Sequence, residues 1–182
     1  MSRGPAGDKR ARILAAARTL LTRGGPDEWS TERVARAAGC AKGLVHYHFK
    51  GRTALLAEVA RSLVQGAADR RTRILTGIGT PALDRLWTEL EREESSGELA
   101  ARLSLLGASD KAIRTALEPT AEQLAAFAAA IASALSLPAV TTAEARATWA
   151  MLDGLGAGML IGAPSGALHE GFDRWWLTLL PA

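Results

Sequence analysis

Apolar residues recur every three or four positions through most of this chain, and no stretch reads convincingly as a strand. That period belongs to helices, so the sequence predicts an all-α fold. Ile13, Leu14, Ala17, Leu20 and Leu21 stripe a helix over residues 9–23. Gly24-Gly25-Pro26 ends it, because glycine accepts a left-handed cap and proline cannot continue the ladder. Ser30 is a natural N-cap for a short helix over 31–38 that Gly39 stops after two turns. A second short helix starts near Lys42 and reaches about His48, and a longer one over about 52–77 carries Leu55, Leu56, Val59 and Leu63 on one stripe. Beyond Gly79-Thr80-Pro81 the pattern stays helical. Leu83 to Leu90 mark one helix and Leu99 to Leu106 another, while Leu124 to Leu135 mark an alanine-rich third that Pro138 terminates. Residues 143–162 and 169–180 complete the set, the last with Trp175 and Trp176.

A chain of 182 residues, 48% hydrophobic, has room for one compact body or a small head on a larger one. The single Cys40 excludes an internal disulfide and a cysteine-cluster zinc site, and fits a reducing compartment. The first twelve residues are polar and basic, without the apolar core of a secretory signal. Ala150 to Ala163 is shorter than the roughly 20 residues that span a bilayer and contains Asp153, so no membrane role is expected. The expected location is the cytoplasm. Charge is unevenly spread. Residues 1–55 hold eleven Lys and Arg against four Asp and Glu, a net +7, and residues 56–182 hold eleven against fifteen, a net −4. A basic head on an acidic body suits a head that meets phosphate, and equally suits a merely solvated basic surface.

The run from Ser30 to Phe49 narrows the choice. Two short helices joined at a glycine are the layout of a DNA-reading helix-turn-helix. Gly39 can take positive φ, Ala35 is small where the helices approach, and Val34, Val45 and Phe49 supply a small core between them. Val34-Ala35, Ala38-Gly39, Lys42-Gly43, Tyr47-His48-Phe49 and Leu55-Leu56 stand in the order and spacing of the tetracycline-repressor (TetR) family, which residues 9–60 closely resemble. The resemblance implies an N-terminal three-helix DNA-binding domain, here residues 1–54, and a C-terminal helical bundle, residues 55–182, that dimerises and binds ligand. Three positions depart from the family pattern. Ala41 replaces the usual Ser or Thr cap, which should weaken the helix start by about 1 kcal/mol. His46 replaces a phosphate-contacting Tyr, and Leu44 replaces a common base-facing Thr.

In that reading the second short helix enters the major groove. Lys42 is long enough to reach guanine O6 or N7, and Gly43 lets the helix start approach the backbone. Leu44 packs either on a thymine methyl or inside the protein. His46, Tyr47 and His48 would donate to phosphates. Ser30 and Thr31, at the start of the supporting helix, would favour an anion, and Lys50 and Arg52 are further phosphate donors. His46 and His48 are two apart, so on a helix they diverge and make a poor metal pair. Cys40 reads as a small turn residue, and Arg33 and Arg36 as a solvated face.

One such reader makes few contacts, so a homodimer on double-stranded, palindromic operator DNA is expected. Gly154, Gly158 and Gly162 recur every fourth residue, and with Trp175 and Trp176 they are the expected dimer surface; the rival is an internal packing groove. A bundle interior can hold a small apolar or aromatic effector. Leu86, Trp87, Leu90, Leu103 and Leu106 are candidate lining residues on the earlier helices. Phe127, Trp149 and Leu152 are candidates on the later ones, unless all are simply core, and Asp153 either orients a polar or cationic group or makes a salt bridge or helix-contact hydrogen bond. No hydrolase elbow, Walker loop or metalloprotease motif is present, so neither enzyme activity nor a cofactor is expected. The expected function is a sequence-specific transcriptional regulator, a repressor released by its effector. The alternative is a carrier of apolar ligands without operator activity.

Overall fold

The computed structural model describes residues 5–180, which form ten helices and no strand among the described residues. The first four residues of the expected head and the last two of the expected body lie outside them. The order is α1 (Pro5–Gly24), α2 (Thr31–Ala37), α3 (Lys42–Phe49), α4 (Arg52–Ile74), α5 (Thr80–Ser95), α6 (Glu98–Leu106), α7 (Lys111–Ala116), α8 (Ala121–Leu135), α9 (Thr142–Leu160) and α10 (Ser165–Leu177). None is long and apolar enough to cross a membrane among the described residues. The chain divides into two compact units: Met1–Val64 with Ala100–Glu118, and Gln65–Leu99 with Pro119–Ala182. Helix α4 contributes residues to both.

In the first unit α1, α2 and α3 pack on one another. The predicted stripe becomes its core, with Ile13, Ala17 and Leu21 of α1 buried, joined by Val34, Ala35, Val45 and Phe49. Trp29 locks the connection that precedes α2. It is buried and its Nε1 donates to the Ala17 carbonyl at 2.9 Å. The six residues of α7, capped by the Asp110 side chain on the Ala112 N–H, escape sequence reading because they are too short to show a period.

In the second unit α9 packs against α5, α8 and α10. Both α8 and α9 start with a reciprocal capping box, Thr120 with Gln123 and Thr141 with Glu144. Leu86, Leu90, Phe127, Ile131, Leu152 and Phe172 fill the core. The glycine stripe expected along 143–162 does not form, because α9 ends at Leu160 and Gly162 lies beyond it with φ +76°. The close approach belongs to Gly156, which is buried: a Cβ there would sit 2.3 Å from Leu99 Cδ2 and 3.2 Å from Leu90 Cδ1. Gly156→Val should therefore destabilise the protein by about 1–3 kcal/mol through overpacking, read as a lower urea midpoint.

Charged groups are held in this unit too. Glu89 accepts from Arg70 Nε at 2.7 Å and from Arg92 Nη2 at 2.9 Å, and Arg70 and Arg92 also share Glu98. Burial works to raise the Glu89 pKa, but the hydrogen bonds and charges of Arg92 and Arg70 outweigh it and hold the carboxyl below its ordinary value. A folded-state pKa below the unfolded one stabilises above the unfolded value, and that stabilisation fades as pH falls through the folded value. The urea midpoint should drop between neutral pH and the carboxylate range, and Glu89→Gln should flatten part of that drop.

Candidate nucleic-acid interface

The short helix α3 has one buried edge and one bare one. Val45 and Phe49, four apart, are buried, so the side chains between them face away from the core. Lys42, Gly43, His46 and Tyr47 are exposed, and Tyr47 keeps 78% of its surface. Leu44 and His48 are half-buried, and the His48 ring meets the Tyr47 ring edge-on at 5.2 Å. A Cβ on Gly43 would meet no other atom within 4 Å, so its bareness serves nothing inside the protein. Between Ser30 and Lys50 the only acid is Glu32, against Arg33, Arg36, Lys42 and Lys50. The outer face of α3 therefore offers donors and positive charge to whatever approaches it.

The turn is built as its glycine requires. Gly39 has φ +63°, Cys40 N–H donates to the Ala35 carbonyl at 3.0 Å, and α3 begins. Ser30 caps α2 by accepting the Arg33 N–H at 3.1 Å, a bond that uses a lone pair of its oxygen and not its O–H. Thr31 opens α2 and is half-buried. Ala41 stands at the N-cap of α3 with no side-chain bond, so the first N–H groups of α3 lack a side-chain cap from that position. Lys50 ends α3 in the left-handed region, φ 56°, and its N–H donates to the His46 carbonyl at 2.7 Å.

Arg52 has a different placement from the simple phosphate donor expected. It is exposed, but its Nη1 donates to the Trp29 carbonyl at 2.8 Å and its guanidinium lies 4.9 Å above the Trp29 ring. It pins the start of α4 to the loop before α2. Two positioning residues of α1 were not legible in the sequence. Arg12 Nη2 donates to the Ala38 carbonyl at 2.9 Å, gripping the turn, and the Arg10 guanidinium lies 4.8 Å from the Phe49 ring centre while pairing with Glu58 at 3.2 Å. On a helix that reads as amphipathic, both look like ordinary solvated cations.

Residues 13–59 match the profile described as bacterial regulatory proteins, tetR family. That match covers the three N-terminal helices and the start of α4. No curated protein matches the chain in sequence. Similar solved structures share the fold of the whole chain. The multidrug binding protein EbrR complexed with ethidium is 22% identical with a TM-score of 0.70, covering 95% of this chain and 99% of its own. The same protein complexed with imidazole gives 23% and 0.68, covering 96% and 97%. A tetR-family transcriptional regulator from Streptomyces coelicolor is 18% identical with a TM-score of 0.67, covering 96% of this chain and 80% of its own.

The candidates in the body are more scattered than those in the N-terminal helices. Leu86, Leu90, Phe127, Trp149 and Leu152 are buried in the second unit. Leu103 and Leu106 belong to the first unit, the former half-buried and the latter exposed. Trp87 does not present a bare aromatic wall: His169 of α10 stacks on it at 4.5 Å, and its Nε1 donates to Glu91 at 2.9 Å. Asp153 accepts from Arg71 at 2.9 Å. Of the expected dimer residues, Gly154 is exposed and a Cβ there would meet open space, whereas a Cβ on Gly158 would meet Leu168 Cδ2 of α10 at 2.8 Å. Trp176 is buried, and Trp175 donates to Thr148 Oγ1 at 3.1 Å. Gly158 and Trp176 thus serve packing within the chain.

Two glycines separate structure from recognition. Gly39→Ala should cost about 1–2 kcal/mol of stability, because its φ is left-handed and a Cβ would lie 3.2 Å from Arg12 Nη2. Gly43→Ala, in open helical space, should leave the melting temperature unchanged or slightly higher. Thermal unfolding of both variants checks the contrast.

Proposed function

We propose that the chain is a homodimeric, cytoplasmic repressor that grips palindromic operator DNA with α3 and lets go when a small apolar or aromatic effector occupies the body. The observation that carries this reading is the bare, acid-free outer face of α3 on a tetR-family head. Residues 1–54 act as the reader and 55–182 as the ligand-binding and dimerising part. Lys42 reaches a guanine edge, Gly43 brings the helix start close to the backbone, and Leu44 meets a thymine methyl. Tyr47, His46, His48 and Lys50 contact phosphates, with the free N–H groups at Thr31 as a further anchor. Arg52, held to Trp29, orients the start of α4 and leaves its remaining N–H groups for phosphate.

Pairing of two copies is supported by exposed apolar side chains near the end of the chain. Ile161 keeps 84% and Leu177 66% of their surface, and Gly154 of α9 is bare. Large apolar side chains left in water mark association surfaces when they gather into a patch. Two readers in one dimer must match successive major grooves, roughly 34–36 Å apart. An effector changes operator affinity only if it binds the competent and incompetent spacings unequally.

Lys42→Ala combined with Tyr47→Ala should abolish a gel shift of the flanking genomic DNA while leaving helicity and dimerisation intact. The unaltered protein should lose affinity steeply as salt rises, since each phosphate contact releases counterion. Undiminished binding by the double variant would refute the assignment of α3 as the reader, and a protein that binds effector but shifts no DNA would be a carrier instead.

A further inference from the structure

A hollow of about 200 Å³ opens beside the turn between α2 and α3, with α1 on one side and Cys40, Ala41 and Leu44 on the other. Lys9 and Arg12, three apart and therefore neighbours on one face of α1, both line it. No carboxylate lines it among the described residues. Both cations keep exposed surface, and the Arg12 guanidinium is also held in place, because its Nη2 donates to the Ala38 carbonyl at 2.9 Å. One such bond leaves most of the N–H donors of a guanidinium unspent. Gly39 helps to admit this side chain, since a Cβ there would lie 3.2 Å from Nη2. The hollow thus combines open space, two positive charges and a fixed fork of donors, with no acid of its own to answer them. The start of α3 adds to the same field. Ala41 gives it no side-chain cap, and while the Leu44 N–H donates to the Ala41 carbonyl at 2.9 Å, the N–H groups before it lack an acceptor from that position.

We propose that this hollow seats a phosphate of the DNA backbone, with Lys9 and Arg12 as its donors, so that the DNA contact extends from α3 onto α1. Its position around α3 selects the ligand. Successive helix residues are turned by about 100°. Half-buried Leu44 and His48 therefore mark the flank between the buried edge of Val45 and Phe49 and the bare edge of Gly43 and Tyr47. Leu44 borders the hollow, so the hollow runs along that flank. A helix lying in the major groove meets base edges with its outer face and has a sugar–phosphate strand along each side. A cationic recess on the flank suits the strand. Phosphate contacts carry no sequence information of their own but fix register and depth. Lys9 and Arg12 would thus set how far Lys42, the first residue of α3, enters the groove. This rests on the reading of α3 given above and adds a contact to it.

Binding of the full chain to the flanking genomic duplex and to an unrelated duplex, measured between about 50 and 200 mM salt, tests the seat. Lys9→Ala should weaken both duplexes by the same factor. It should also make the slope of log affinity against log salt shallower by about one for each head on the DNA. Lys9→Arg should restore the slope. Lys111→Ala removes an exposed cation of the same compact unit that lines no part of the hollow, and should leave the slope unchanged. Arg12 also holds the turn, so Lys9 is the cleaner substitution. Cys40, the single cysteine of the chain, gives a readout at the hollow itself: saturating duplex should slow its alkylation by iodoacetamide. A slope unmoved by Lys9→Ala, a slope moved as much by Lys111→Ala, or equal alkylation with and without duplex would overturn the proposal. If Lys42→Ala with Tyr47→Ala abolishes binding while Lys9→Ala leaves the slope intact, α3 remains the reader and only the seat is lost. An unaltered protein that shifts no duplex removes both.

Discussion

The orientation of α3 depends on burying Val45 and Phe49 one turn apart against the helices before it. With eight residues, α3 is too short to hold its shape alone. Its conformation and rotation are therefore set by tertiary packing, and the packing edge determines which side chains are left exposed. The supports converge on that edge. Arg10 lies over Phe49, Arg12 holds the Ala38 carbonyl, and Trp29 ties the loop before α2 to α1 while Arg52 grips Trp29 from α4. Four side chains that never need to touch a base hold the ones that would. The missing cap at Ala41 makes this external support more important, since α3 lacks the side-chain stop with which α8 and α9 begin.

The body follows a different rule. Its core is apolar in the ordinary way, yet it admits Arg71, Glu93 and, partly, Glu89. Taking such groups from water is costly, and mutual pairing offsets the cost only when every donor is used. The Arg70, Arg92, Glu89 and Glu98 set is closely interlocked, whereas Arg71 has capacity to spare.

Much of the fold was legible because long helices announce themselves. The stripes of Ile13 to Leu21 and Leu124 to Ile131 are core in the structure, and Gly39 turns the chain where its position between two short helices required. What escaped was either short or depended on partners far away in sequence. Helix α7 has six residues, and α10 starts at Ser165, before its apolar stripe begins. The glycine spacing of α9 marks small residues on one side, but which neighbour each meets is a tertiary matter: Gly158 faces Leu168, and Gly156, outside that spacing, faces Leu99. A salt bridge was one of the two roles expected of Asp153, but its partner Arg71, eighty-two positions earlier, cannot be seen beside it in the sequence.

Local chemistry along the chain was enough to specify an all-helical protein with a basic N-terminal helix-turn-helix, since helix period, glycine turns and the charge imbalance are written in neighbouring residues. Only the folded chain decided which cations are spoken for, which aromatic faces are covered and which buried donor is left over. Those outcomes turn on the direction of individual N–H bonds and ring planes brought together across many residues, and no local pattern encodes them.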